Sequence, residues 1–329
     1  MKFIDFVGNE KVKEQLTFLQ ESGRLPHAIV IEGEQGLGKR TFAREIALNL
    51  FCRSEGERPC CQCPQCLKVL KHIHPDIYEY SASGGARSFH VDIIRDVKED
   101  VFVQPNEADY KVYILGNCQC MSESAQNAIL KVLEEPPSYA LFILTTTAKS
   151  ALLETVLSRS VVISLDGVES HKAAEYICMK DESIDFNDAL NAVSIWNGNI
   201  GKALESLGDG KLSKISSIAN NISVALLSDK EYDLLKACSV FEKDRETLIA
   251  VLTLLKTVFR DALLYNRIGS DVLSGQNDTV KKLASRLNKE KLLKLIYSCD
   301  NIRVLAEKNG NNAILITKIC YELRAAQGR

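Results

Sequence analysis

Four cysteines crowd one short stretch, Cys52, Cys60, Cys63 and Cys66, in the spacing C-x7-C-x2-C-x2-C. Thiolates two residues apart can converge on one tetrahedral cation. Four of them close its coordination, which is the pattern of a structural zinc site rather than a catalytic one. Cys61 is a fifth thiol nearby, but its single-residue gap to Cys63 suits a shared ion less well. The alternative is a set of buried free thiols. Arg58, Pro59, Gln62 and Gln65 beside them fit apolar burial poorly, and no general base stands out.

A second group is Gly33-Glu34-Gln35-Gly36-Leu37-Gly38-Lys39. Glycines at 33, 36 and 38 let backbone N–H groups turn toward phosphate oxygens. Lys39 is spaced to reach β- and γ-phosphates, and a helix starting there adds its dipole. The pattern asks for Ser or Thr directly after the lysine, to ligate magnesium. Arg40 stands there instead and Thr41 follows. One residue along a helix is about 100° of rotation, so Thr41 does not simply replace the missing hydroxyl. Downstream, Val112-Tyr113-Ile114-Leu115 reads as a buried strand that ends in Gly116 and Asn117. Phosphoryl transfer needs metal-holding acids and a positioned nucleophile. Two readings stay open: a nucleotide site without hydrolysis, and a tight strand-to-helix turn that holds no ligand.

The elements that must position these groups follow from apolar spacing. Residues 10–22 carry Val12, Leu16 and Leu19 at helical intervals. Ala28–Glu32 is a strand, the glycine loop follows, and a helix starts near Lys39, which is the context a phosphate loop requires. The cysteine stretch is an insertion at 52–66. "DIYEYSA" is a short strand, 91–101 a helix, 111–115 a strand, 124–133 a helix, "ALFILTTT" a strand and "VVISL" another. Strands alternating with helices predict an α/β fold with a doubly wound parallel sheet. After about residue 166 only amphipathic helices are predicted, in a small group at 168–207 and a larger one at 210–329. The stretch 269–278 reads as a loop.

Composition narrows the functional classes. The chain has 329 residues, 46% hydrophobic and 26% charged, which is enough for two or three domains with real cores. A net charge of −2 argues against strong autonomous nucleic-acid binding. No run of about 18 apolar residues predicts a membrane span. The opening residues do not read as a signal peptide. Eleven cysteines, an odd number with one close cluster, fit a reducing cytoplasm and a metal site rather than a disulfide framework.

Several stretches together resemble one family, the bacterial clamp-loader ATPase-type subunits. These are "FIDFVGNEKVKEQL" with "GRLPHAIVIEGEQGLGKRTFA", "HPD" at 74–76, "SAQNAILKVLEEPP" at 124–137, "LETVLSRS" at 153–160, "GNIGKAL" at 198–204 and "NNAILITKICYEL" near the end. Ser160 departs from the family's Ser-Arg-Cys, with the arginine intact. Within the family the pattern is that of the delta-prime branch of DNA polymerase III, whose members commonly lack the second-strand acids, as at Gly116 and Asn117.

The resemblance implies a parallel-sheet P-loop (AAA+-type) domain at 1–166 with the four-cysteine zinc module at 52–66. A helical lid at 167–208 and an all-α C-terminal collar at 209–329 would follow. It implies a non-hydrolysing subunit of a hetero-oligomeric ring, partnered by motor ATPase subunits and delta, that helps load the sliding clamp onto primer-template DNA. Such a chain has no catalysis of its own, although it belongs to a DNA-directed DNA polymerase (nucleotidyltransferase) holoenzyme. Its cofactor is structural zinc, and ATP occupancy stays open. Arg159 is implied as an arginine finger acting in trans on a neighbour's ATP; the plain alternative is a surface arginine near a helix start with Ser158 as its cap. Thr146 matches the first sensor and Lys202 the second. Val7 and Gly8 match the nucleotide-contacting opening, and Lys131 a side chain toward DNA. Rival readings are an active motor ATPase of the same family, a small-molecule P-loop kinase and a stand-alone zinc nucleic-acid module. Turnover by the isolated chain, a substrate lid with magnesium chemistry, and salt-sensitive DNA binding would respectively select them.

Overall fold

Five short apolar runs become one parallel sheet in the computed structural model, which describes residues 1–81, 91–228, 230–242, 244–268, 272, 274, 276–307 and 312–327. The strands are β1 (Ala28–Glu32), β2 (Ile77–Ser81), β3 (Lys111–Gly116), β4 (Ala140–Thr146) and β5 (Val161–Ser164), in the order β2-β3-β4-β1-β5. Ala28 pairs with Phe142, Ile29 with Val161, Ile77 with Val112 and Lys111 with Ala140, all in parallel. The helices between them are α1 (Glu10–Glu21), α2 (Lys39–Phe51), α3 (Pro64–Leu70), α4 (Val91–Asp100), α5 (Glu123–Glu134) and α6 (Glu154–Leu157).

Side chains alternate across a strand, so each inner strand feeds two cores. Ile29, Ile31, Val112, Ile114, Leu141 and Ile143 join Leu16 of α1 and Phe42 and Ile46 of α2 on one face. Ala28, Val30, Tyr113, Leu115, Phe142 and Leu144 join Ile94 of α4 and Ile129 of α5 on the other. Both faces are covered, as the doubly wound reading expects.

Buried polar groups fix the loops around this sheet. Asp76 is fully buried before β2 and accepts the backbone N–H groups of Asn106, Glu107 and Ala108 at 2.6, 2.8 and 2.9 Å. His74 Nε2 donates to Gln65 Oε1 of α3 at 2.6 Å, while its Nδ1 accepts the Asp76 N–H at 3.1 Å. The "HPD" stretch is thus a clasp between β2, the loop before β3 and the cysteine module.

The chain forms two compact units, Met1–Val168 and Glu169–Arg329. The second holds α7 (Ser170–Lys180), α8 (Phe186–Ile195), α9 (Ile200–Gly208), α10 (Lys211–Leu227), α11 (Glu231–Cys238), α12 (Arg245–Ile268), α13 (Asn277–Arg286), α14 (Lys289–Glu307) and α15 (Asn312–Gln327). Leu248, Val251, Leu255, Val258 and Phe259 of α12 are buried in one helical core, against α10, α13 and α14. Arg324 of α15 donates to the carbonyls of Ser228 and Lys230 at 2.8 and 2.9 Å, just past the end of α10. Of the loop expected at 269–278, residues 269–271, 273 and 275 lie outside the described residues, and Asn277 and Asp278 already belong to α13. No helix among the described residues is long and apolar enough to cross a membrane.

Candidate functional site

Parallel strands carry their loops to one end of the sheet, and β1 delivers the chain there into the glycine loop. Gly36 and Gly38 have φ of 94° and 74°, a region that side chains rarely adopt. The Gly33 N–H donates to Thr146 O of β4 at 3.1 Å. Lys39 is buried, and its Nζ donates to the carbonyls of Gly33 and Glu34 at 2.6 and 2.7 Å. An ammonium has three donors, so two of them close onto the loop itself. Burial pushes the Lys39 pKa down to about 8, against the pull of Glu34. Arg40 Nη2 lies 3.3 Å from Glu79 Oε2 on β2. Arg44, one turn on, grips the same carboxylate through Nε at 2.6 Å and Nη2 at 2.7 Å. Burial opposes the charge on Glu79, yet the two guanidinium groups hold its carboxyl below the usual range.

The ends of β3 and β4 complete this edge. A Cβ on Gly116 would lie 3.0 Å from Ser81 Oγ and 3.2 Å from Ser81 Cβ, so the end of β2 fills the space beside it. Asn117 has φ of 60°, which asparagine tolerates. Its N–H donates to Thr145 Oγ1 at 3.2 Å and its amide to Ser81 Oγ at 3.3 Å. Thr146 is buried; its hydroxyl donates to Ala148 O at 2.9 Å and accepts the Ala148 N–H at 3.3 Å. The structure therefore brings Gly33, Gly36, Gly38, Lys39 and Thr146 together, with Thr41 half-buried in the first turn of α2. Lys202 belongs to the second unit, where its Nζ lies 3.6 Å from Glu246 Oε1 and 5.4 Å from the centre of the Trp196 ring.

Arg159 stands elsewhere in the first unit. It follows α6, whose last helical residue is Leu157, so Ser158 caps the end of that helix rather than a helix start. Arg159 Nη1 donates to Thr155 O at 3.0 Å and Ser158 Oγ at 3.2 Å, and Nη2 lies 2.6 Å from Glu134 Oε1 at the end of α5. Gln126, two turns earlier on α5, donates to Ala151 O at 3.1 Å and accepts the Leu153 N–H at 2.7 Å. Residue 161 opens β5 opposite Ile29 of β1. Arg159 thus lies off the N-terminal end of the sheet, whereas the glycine loop leaves its C-terminal end. At about 3.3 Å per residue, the four steps from Ile29 to Gly33 separate the two levels by roughly 13 Å.

The cysteine module lies between α2 and α3. The Sγ atoms of Cys52, Cys60, Cys63 and Cys66 all lie within 4.8 Å of one another, and Cys60 and Cys66 are 4.0 Å apart. Four sulfurs at about 2.3 Å from one zinc would be about 3.8 Å apart, so the set fits a tetrahedral ion. Backbone N–H groups already face these sulfurs: Cys60 N to Cys52 Sγ at 3.3 Å, and Cys63 N to Cys60 Sγ and Cys66 N to Cys63 Sγ at 3.4 Å each. The N–H groups of Gln62 and Cys63 draw the Cys60 thiol down to about 6. Burial pushes the Cys66 thiol up. Cys61 turns to the Pro59 carbonyl at 3.9 Å and is outside the set.

No motif in the sequence singles out Ser81, Glu79, Gln126 or Glu134 as a site residue. The last two lie inside "SAQNAILKVLEEPP", eight residues apart on one helix; that spacing was the available signal, but their partners are distant in sequence.

Comparison with known proteins places the chain. Residues 8–169 match the family model described as "DNA polymerase III, delta subunit", and residues 215–324 the model of that subunit's C-terminal part. The chain is 28% identical to DNA polymerase III subunit gamma of Buchnera aphidicola subsp. Acyrthosiphon pisum, over 78% of this chain and 72% of that protein. It is 29% identical to DNA polymerase III subunit delta' of Haemophilus influenzae, over 71% of this chain and 70% of that protein. A gamma subunit from Buchnera aphidicola subsp. Schizaphis graminum is 25% identical over 98% of this chain and 88% of its own length.

Proposed function

Because the chain belongs to the clamp-loader family of DNA polymerase III subunits, we propose that it is the non-hydrolysing, delta-prime-type member of a hetero-oligomeric ring. In this role it helps its motor ATPase and delta partners place the sliding clamp on primer-template DNA, and it lends Arg159 to the neighbouring subunit's ATP. The carrying observation is the position of Arg159, at the end of the sheet opposite the chain's own glycine loop. An arginine there works on a phosphate held by another molecule. Its fixed charge would stabilise the negative charge that spreads in phosphoryl transfer.

The chain's own loop supports the non-hydrolysing half of this reading. Lys39 bonds to loop carbonyls, Arg40 to Glu79, and Gly116 and Asn117 pack on Ser81. The one carboxylate among these groups, Glu79, is held by Arg40 and Arg44. Thr146 and Lys202 are read as remnants of the sensors. The four-cysteine module is read as a structural zinc site, with Cys52, Cys60, Cys63 and Cys66 as its ligands; the ion would cross-link the insertion to α2 and α3. The division of the helical half into a lid at 167–208 and a collar at 209–329 that builds the ring, and a cytoplasmic location, belong to the same proposal.

A second reading, an active motor, draws on the similarity to gamma subunits. ATP turnover on primed DNA with clamp separates the two. The isolated chain should be inert, and the reconstituted assembly should lose tenfold or more of its turnover with Arg159→Ala, because trans arginines contribute about 10³–10⁵ in rate. Turnover by the isolated chain would select the motor reading. Full turnover with Arg159→Ala would remove the finger role.

A further inference from the structure

We propose that Glu134 is the positioning residue of Arg159, holding its guanidinium in one orientation for the neighbouring subunit's phosphates; this rests on the finger reading above. Arg159 follows a helix of only four residues, which cannot stabilise itself. Its contacts to Thr155 O and Ser158 Oγ are local and move with that segment. The 2.6 Å contact with Glu134 ties the side chain to a longer element, α5. The same helix holds the chain just before α6, through Gln126 on Ala151 and Leu153. One rigid element therefore sets both the place of the segment and the plane of its arginine.

Stability is a poor explanation for this pair. Its side chains are 34% and 48% exposed, and ion pairs of that kind contribute little to folding. A carboxylate in the last turn of α5 also opposes the helix dipole. Orientation is a better one. Arginine is among the most rotamer-rich side chains, and reacting groups gain rate when their geometry is fixed beforehand. A guanidinium fixed through Nη1 and Nη2 has a defined plane, and water can still reach it.

The test uses the reconstituted assembly on primed DNA, with Glu134→Ala, the isosteric Glu134→Gln, the conservative Glu134→Asp and Arg159→Ala. Glu134→Ala and Glu134→Gln should lower kcat for ATP hydrolysis about threefold to tenfold, the factor that ordering one long side chain is worth. The KM for ATP, ring assembly and the thermal midpoint of the isolated chain should stay unchanged. Glu134→Asp should recover most of the rate, and Glu134→Ala added to Arg159→Ala should cost nothing more. An unchanged or faster kcat with Glu134→Ala and Glu134→Gln, or an added loss in the double variant, would overturn the proposal while leaving the finger intact. If Arg159→Ala itself keeps full turnover, the finger reading falls and this inference with it.

Discussion

Ser81 and Gly116 are paired in register at the ends of β2 and β3, and the serine side chain occupies the space where a Cβ of residue 116 would point. Gly116 is also the last residue of β3. Adding a side chain there forces Ser81 to move. Gly116→Ala should therefore destabilise the chain by about 1–3 kcal/mol, the usual cost of overpacking. A thermodynamic cycle with Ser81→Gly should return a favourable coupling of about 1 kcal/mol, because the clashing atoms are gone. Purely additive losses in denaturant unfolding would contradict the packing.

Lys39 should titrate near pH 8, well below its ordinary value of 10.5. The cause is burial, and the sign follows: between about 8 and 10.5 the unfolded chain binds more protons than the folded one. This group therefore makes stability rise as pH climbs through that window. Lysine side-chain NMR checks the midpoint, and Lys39→Met should remove that rising limb. A midpoint at 10.5 would mean that the ammonium is hydrated rather than buried beneath the loop.

Asp76 governs the acid side. Burial alone would raise its pKa, but the N–H groups of Asn106, Glu107 and Ala108 hold it below the usual carboxylate range. A depressed folded value gives stability that is fully present above the unfolded pKa, near 4, and is lost as pH falls through the folded value. Each carboxylate oxygen accepts two N–H donors, so Asp76→Asn sets an amide NH2 against two of them and should cost about 2–4 kcal/mol at neutral pH. It should also flatten the acid limb of the stability curve; an unaltered limb would assign it to other carboxylates.

Metal analysis should find one zinc per chain. Cys63→Ser should lose it and lower the thermal midpoint, whereas Cys61→Ser should keep the full metal content, since Cys61 faces the Pro59 carbonyl. Equal metal loss from both variants would mean that the ligand set is misassigned.

The sequence by itself determined the local events. The glycine spacing before Lys39, the apolar runs of β1, β3 and β4, and the two-residue gaps of the cysteines depend on neighbours along the chain, and each was legible. Arg40 directly after the lysine, and Gly116 and Asn117 at the end of the third strand, could also be read directly. Tertiary structure decided what those residues face. The strand order β2-β3-β4-β1-β5 puts Ser81 against Gly116 and brings Glu79 within reach of Arg40. The parallel direction of β1 and β5 sends Arg159 to the end opposite the glycine loop, where α5 offers Glu134. No periodicity encodes such pairings, because residues 25 to 40 apart meet only after the sheet has chosen its order and burial has fixed which faces touch.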